Sequence, residues 1–469
     1  MKLPIVTTYS NLQLRLGYLK VLAAVGDRSP TTQESFERKL QPLFPPPPLK
    51  ANLLGKAGTP PPADASYMAQ MFSREKPKRR GLLNRNNLHE LIILGKAFQF
   101  LHPVNCSLYE ISVVLRAIMG PAAIKSIADG NSNSAYNPMT IGEGDSSRME
   151  RAFFFLLILS ADLPTALIAC VVAGTTSFHL QDDFKKGSEL VEGDNAVKNS
   201  KNQLTKTVDV AVMNTQARGA KRSSKPIVDE SLTAYSPNNI LLKAYNLIAR
   251  TAGNELSITN WREWKEYFEG AQSASTTSLG GHKAMRMGKQ SSFRHHAAPR
   301  IEFLVDLHLL DLSDTTGEDG EPSYYAPNDN TRRFESFFNE NFLTSTKVPK
   351  LNLSQFLRSS GMKCFAATYQ IELRDPTADE PLQFLLQSYQ TVKREIGTTP
   401  MWTTALMASL LALDAGVLLE TEKLYSLASS KAQEERAAIR LSGGSRFDGE
   451  FLIGISPELL KTVTKPPSS

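Results

Sequence analysis

Cysteine is scarce in this 469-residue chain, which contains only Cys106, Cys170 and Cys364, all far apart. Their odd number and wide spacing exclude a disulfide framework and a cysteine-based zinc site. They indicate a reducing, intracellular compartment, so we expect a cytoplasmic protein. Residues 1–24 also lack a compact apolar stretch after a basic start and a small-residue cleavage pattern, so we expect no secretory signal.

Only one segment, residues 152–174, is apolar over a length that could cross a bilayer. Ser160, Asp162 and Pro164 lie in its middle, where a charge is costly and a proline breaks a helix. The segment therefore predicts two buried helices joined at residues 160–164, and we expect no membrane partner.

Enzyme signatures are missing too: there is no nucleophile elbow, HExxH motif, kinase signature or dinucleotide fingerprint. Asp448 and Glu450 form a close acidic pair without an adjacent lysine, which leaves a metal-dependent nuclease as a lesser alternative. Residues 442–446 are interpreted as a glycine hairpin turn, with a phosphate cradle assisted by Arg440 and Arg446 as the lesser alternative. No Lys-Ser/Thr follows to make a phosphate loop, so we expect no nucleotide binding. We expect a non-enzymatic protein with no cofactor and no metal.

Hydrophobic residues make up 41% of the chain and charged residues 21%, which is enough apolar material to form buried cores. At about 150 residues per domain, the length predicts several domains. The expected fold is mainly α with short β-hairpins, in several units joined by long polar loops. The predicted organisation is an N-terminal helix, proline-rich connector and basic arm (1–85), a helical domain (86–180), a polar insertion (181–235), a domain at 236–345 and a C-terminal helical domain (346–469).

Residues 236–338 carry the most specific pattern in the chain. Residues 238–252 and 261–269 have helical apolar spacing, and residues 299–312 predict a helix that runs into an extended stretch. A polar turn at 315–322 then leads to a strand at 323–326. The order is three helices, a strand, a turn and a returning strand.

This order resembles the prokaryotic winged helix-turn-helix superfamily. The resemblance is carried by Arg300, residues 303–307 and 309–310, residues 324–327 and Arg332. It implies that the last helix lies in the major groove of DNA while the hairpin contacts the backbone or minor groove. A glycine usually ends that helix in the family, and this chain has His308, so we expect the helix-to-strand turn to differ.

A weaker version of the pattern lies near the C-terminus. Residues 382–396, 401–413 and 420–438 predict helices, and residues 439–441 and 450–455 predict a hairpin. These elements suggest a second winged-helix-like unit.

Basic residues are segregated in two segments. Between Glu269 and Glu302 there is no acidic residue, and this interval has a charge of +5. The run from Met71 to Arg85 contributes another +5, whereas the whole chain has only +6, so the remainder sums to −4. Such segregation is typical of phosphate recognition.

We therefore predict a DNA-binding, non-catalytic subunit of a larger prokaryotic complex, or a regulator. By analogy, anti-phage defence and mobile-element complexes are where such a protein would fit. The predicted DNA-contacting residues are Lys283, Arg286, Lys289, Arg294, His295, His296, Arg300, Arg332, Arg333, Lys78, Arg79 and Arg80. The expected partners are double-stranded DNA and other protein subunits, with a homo-oligomer left open. The alternative from another class is an adaptor whose winged helices bind proteins.

Overall fold

Helices and short antiparallel strands make up the part of the chain that the structure describes, which confirms the mainly α prediction. The computed structural model describes residues 16–25, 31–32, 38, 95, 102–104, 107–109, 112–128, 141, 147–175, 177–178, 244, 247–248, 297–313, 324–343, 353–393, 398–435, 438–443 and 451–462. In chain order, its elements are α1 (Tyr18–Val25), β1 (Thr31–Thr32), β2 (His102–Val104), β3 (Ser107–Tyr109), α2 (Ser112–Ala128), α3 (Ser147–Ala161), α4 (Leu163–Val172), α5 (Ala298–Asp306), β4 (Leu310–Ser313), β5 (Tyr324–Pro327), α6 (Asp329–Phe338), α7 (Leu353–Tyr369), α8 (Glu380–Val392), β6 (Thr399–Pro400), α9 (Met401–Asp414), α10 (Thr421–Glu434), β7 (Ile439–Gly443), β8 (Phe451–Ile455) and α11 (Pro457–Leu460).

These residues fall into two compact units. Unit 1 holds the described residues of Ala161–Asn352, and unit 2 holds those of Leu16–Pro46, Pro77–Ser160 and Leu353–Ser469. The division differs from the predicted domain at 86–180, because α4 belongs with the elements near residue 300 and not with α2 and α3. The physical reason is that α4 packs against α5 and α6.

The apolar segment at 152–174 forms two buried helices, α3 and α4, separated at Asp162, as its sequence predicts. Pro164 lies in the first turn of α4, where the missing N–H costs no helical hydrogen bond. No described helix is by itself long and apolar enough to cross a bilayer, and α3 and α4 reach that length only as a broken pair.

Unit 1 is built from α4, α5, the β4–β5 hairpin and α6. The predicted helix-to-strand transition after residue 299 is confirmed, with β4 and β5 antiparallel from the pair Leu310 and Pro327 to the pair Ser313 and Tyr324. The edge of β5 that does not face β4 pairs with Phe178. Tyr325 and Phe178 exchange two backbone hydrogen bonds, both of 2.9 Å, and their rings stack. A reciprocal capping box starts α6, whose buried phenylalanines close the core.

The N-terminal part of unit 2 pairs α1 with α2. Arg116 of α2 donates to the carbonyls of Ala23 (3.2 Å) and Ala24 (2.7 Å), which satisfies acceptors at the end of α1. Lys20 forms a buried ion pair with Glu150. Ser107 lies in β3, which pairs with β1 and β2.

The C-terminal part of unit 2 follows the order α8, β6, α9, α10, β7, β8. Strand β8 pairs antiparallel with β6 on one side and with β7 on the other. The inward residues of these elements form one core, which includes Leu385, Met401, Leu424, Ile439 and Ile453. The helices and hairpin predicted from residue 382 onward are thereby confirmed as elements.

His308 ends α5 in the left-handed conformation, with φ of 54°. Its N–H donates to the carbonyl of Val305 (2.9 Å), and the N–H of Leu309 donates to the carbonyl of Leu304 (2.8 Å). These two bonds define a Schellman C-cap. Gly416 ends α9 in the same way, with φ of 72°. The turn at His308 therefore keeps the geometry that glycine usually provides, at a conformational cost.

We expect His308→Gly to raise the free energy of unfolding by about 1 kcal/mol, because glycine adopts positive φ without the steric cost that histidine has there. Gly416→Ala should lower it by about 1 kcal/mol. A Cβ at Gly416 would have no atom within 4 Å, so backbone conformation alone sets that loss. Urea unfolding followed by circular dichroism measures both changes. A destabilised His308→Gly variant would contradict the assignment of strain to this position.

Candidate nucleic-acid interface

Arg300, predicted to contact DNA, lies inside unit 1 in an ion pair with Asp162. Its Nε and Nη2 each donate at 2.8 Å to one oxygen of the carboxylate, and both side chains have zero solvent exposure. The hydroxyl of Thr165 donates to the same carboxylate at 2.6 Å. A bidentate guanidinium satisfies a buried carboxylate in this way, so Arg300 is a structural residue and its predicted phosphate contact is wrong.

Helix α5, predicted to enter the major groove, faces the interior over most of its length. Ile301 and Phe303 have zero exposure, and Glu302 has 1%. The Glu302 carboxylate accepts a hydrogen bond from the hydroxyl of Tyr325 on β5. A helix that is buried in this way offers no surface for reading base edges.

Arg332 and Arg333 lie on α6 and remain candidates for DNA contact. Arg332 pairs with Asp329 at 2.8 Å, and the two side chains are 60% and 76% exposed. Arg333 is half-buried and donates to the side-chain oxygen of Asn330 at 2.5 Å. An exposed pair three residues apart contributes little to stability, so a phosphate could replace Asp329 as the partner of Arg332.

The other predicted DNA-contacting residues lie outside the residues that the structure describes. They are Lys283, Arg286, Lys289, Arg294, His295 and His296 of the second basic segment, and Lys78, Arg79 and Arg80 of the first. Their predicted roles stay predictions.

The C-terminal hairpin exposes polar groups at the described end of β7. Arg440, Ser442 and Gly443 are exposed, whereas the acidic pair Asp448 and Glu450 lies outside the described residues. In the described ranges, no three His, Cys, Asp or Glu side chains converge in a metal-binding arrangement.

Asp162 is the residue that sequence reasoning left without a role, although a signal for it was present. A carboxylate within an apolar run must be paired with a cation or stay neutral. That rule predicts a buried basic partner for Asp162 but does not identify it, because Arg300 lies 138 residues further along the chain.

Comparisons with protein-family models, with curated proteins and with solved structures find no match to this chain. The function of the chain must therefore be inferred from its own residues.

We expect Asp162→Ala and Arg300→Met each to lower the free energy of unfolding by about 3–5 kcal/mol, because each removes one partner of a buried ion pair. The double variant should lose no more than either single variant, since it removes both charges. Urea unfolding of the four proteins gives the coupling energy.

Arg332→Ala is the matched control, because it removes an exposed arginine from the same unit and should change stability by less than about 0.5 kcal/mol. Additive losses in the double variant would mean that the two side chains are not coupled.

Proposed function

We propose that this chain is a non-catalytic DNA-binding subunit of a larger assembly, or a regulator, that contacts the phosphate backbone through two basic segments. The concentration of positive charge carries this proposal: residues 71–85 and 270–301 have +5 each, in a chain of +6. Local concentration of bases attracts phosphates more effectively than the same charge spread over a surface. Since Arg300 is engaged with Asp162, four bases of the second segment remain for phosphate.

The proposed contact is with the backbone rather than with base edges. Helix α5 is buried, so it is not the reading element in this proposal. The chain between β4 and β5 also carries four carboxylates and no base, at Asp314, Glu318, Asp319 and Glu321. Such a turn repels phosphate, so binding should depend little on DNA sequence.

We further propose that the winged-helix unit is in the C-terminal part of unit 2 rather than at 236–338. What supports it is the order of α8, α9 and α10 followed by the antiparallel strands β7 and β8. In this assignment α10 replaces α5 as the third helix.

The exposed face of α10 suits a protein partner better than it suits DNA. Its exposed side chains carry two acids and one base among uncharged polar groups, and they are Glu422, Lys423, Ser426, Ser429, Ser430, Gln433 and Glu434. Residues 380–462 contain eight basic and ten acidic residues, so this region has no excess of positive charge. Attraction to phosphate by this region is therefore weak.

The DNA proposal predicts a steep dependence of duplex affinity on salt that originates in the basic segments. Replacing Lys283, Arg286, Lys289 and Arg294 by alanine should reduce the slope of log K against log salt by up to about 3.6, since each phosphate contact contributes about 0.9. The arm variant with Lys78, Arg79 and Arg80 replaced should reduce it by up to about 2.7. A mobility-shift titration of the full chain at several salt concentrations gives the slope.

A second fourfold variant is the matched control, because it removes the same charge elsewhere: Lys423, Lys431, Arg440 and Lys461 to alanine. We expect its slope to equal that of the unmodified chain. If this control variant alone flattens the dependence of log K on log salt, the C-terminal region binds the duplex instead. If the unmodified chain does not bind duplex DNA at low salt, the DNA proposal fails.

The second candidate function is a protein–protein adaptor, favoured by the lack of excess positive charge on the exposed face of α10 and by the burial of α5. In this proposal α10 docks on another subunit of the assembly.

Ser426→Arg together with Ser429→Arg tests whether α10 contacts a protein or a duplex, because the two contacts predict opposite effects. If α10 contacts a protein, the bulky charges should abolish co-purification of the partner from the native source in nuclease-treated extract. If α10 contacts DNA, the added charges should tighten duplex binding and steepen its salt dependence. An intact complex with unchanged duplex binding would exclude α10 from both roles.

A further inference from the structure

The sheet formed by β6, β8 and β7 in unit 2 has two edges that differ in their protection. Strand β6 forms one edge with Thr399 and Pro400 alone, both buried, and a proline offers no N–H for pairing. Strand β7 forms the other edge over five residues and pairs with β8 without a bulge. Proline, lysine or an inward-pointing charge commonly blocks an edge against further pairing, and β7 contains none of these.

The ladder between β7 and β8 shows which backbone groups of β7 point away from the sheet. The N–H of Ser456 donates to the carbonyl of Ala438 at 2.8 Å, so hydrogen-bonded pairs recur at every second residue from this pair. The residues whose N–H and C=O point away from β8 are therefore the intervening ones, Ile439, Leu441 and Gly443. In the part of the chain that the structure describes, no hydrogen bond reaches these outward groups of Leu441 and Gly443.

An exposed aromatic ring lies beside these outward backbone groups. Leu441 packs against the core, whereas Arg440 and Ser442 lie on the opposite, exposed face of β7. A Cβ built on Gly443 would have no atom within 4 Å, so the space over this glycine is open. Its partner in β8 is Phe451, whose side chain is 45% exposed. The edge thus combines backbone groups that can accept a further strand with apolar surface that a further strand would cover.

We propose that β7 pairs antiparallel with β7 of a second copy of this chain, so that one continuous sheet runs through a two-fold dimer. In this pairing each Leu441 N–H donates to the Leu441 carbonyl of the other copy, and each Gly443 N–H donates to the Ile439 carbonyl of the other copy. The Ile439 N–H is not used, because it already donates to the carbonyl of Glu435 at 3.2 Å. Ile439 of the second copy comes to lie across Gly443 from Phe451, which shields that ring from water.

The single charge on β7 favours this register over its neighbours. With Leu441 at the two-fold axis, Arg440 of each copy lies opposite Ser442 of the other. A shift that centres the pair on Arg440 would place two guanidinium groups directly opposite each other, which is destabilising. A shift that centres it on Ser442 would leave Ile439 and Arg440 without a partner in β7. The strand is therefore complementary to itself, as a two-fold interface requires, and the proposal does not depend on DNA binding.

Light scattering of the nuclease-treated full chain over a series of concentrations tests the dimer. We expect the molar mass to rise with concentration from that of the monomer to twice that value. Gly443→Pro should remain monomeric, because it removes the N–H that donates to the second copy and places a ring on the edge, where its own ladder loses no hydrogen bond. Gly443→Ala is the matched control, which keeps the N–H and should dimerise like the unmodified chain.

A monomer mass of the unmodified chain at every concentration, or a dimer that survives in Gly443→Pro, contradicts the proposal. A second pair of variants tests the register without changing the backbone. Ser442→Arg should weaken dimerisation and Ser442→Glu should strengthen it, each by roughly twofold to thirtyfold in the dissociation constant, since each copy places Arg440 opposite residue 442 of the other. The same two substitutions at Ser359, an exposed serine on α7, should leave it unchanged. Equal effects of Ser442→Arg and Ser442→Glu would overturn the proposed pairing.

Discussion

The buried ion pair between Asp162 and Arg300 connects two segments that are far apart in sequence, and unit 1 depends on it. An ionised carboxylate cannot lie alone among apolar side chains, and the guanidinium satisfies both of its oxygens. Asp162 comes just before α4, and Arg300 lies in the first turn of α5, so the pair sets these two helices side by side. Breaking it would leave a buried charge and open the interface between α4 and α5.

The same pair makes the positive charge at residue 300 unavailable to phosphate. An arginine at the end of an acid-free segment has the composition of a phosphate contact, yet this one is neutralised by a partner from within the unit. The helix that carries it is buried in the core of unit 1, together with its charged residues Glu302 and Asp306. The positive charge that we propose for a duplex therefore lies in residues before α5 and on the exposed arginine of α6.

Most elements could be predicted from sequence because their signals are local. The proline-containing first turns of α4 and α5, the glycine that ends α9 and the turn between β7 and β8 each act within a few residues. Ser107 shows where a local signal fails. The serine and the helical apolar spacing of Ile111, Val114 and Ile118 predict a helix capped at Ser107, yet pairing with residues of β1 and β2 places this serine in a strand. A long-range partner such as Arg300 for Asp162 leaves no local pattern. For that reason the candidate site was predicted less well than the elements.

The anchored end of the second basic segment limits where a duplex could be held. Arg294 precedes Arg300 by six residues, so a fully extended chain keeps their Cα atoms within about 20 Å of each other. Lys283 precedes it by seventeen residues and can lie up to about 60 Å away. A base that is tethered close to a rigid helix loses less conformational freedom on binding than one far along the chain. Of the four remaining bases in this segment, Arg294 should thus contribute most to affinity per contact, and it should hold DNA close to the N-terminal end of α5.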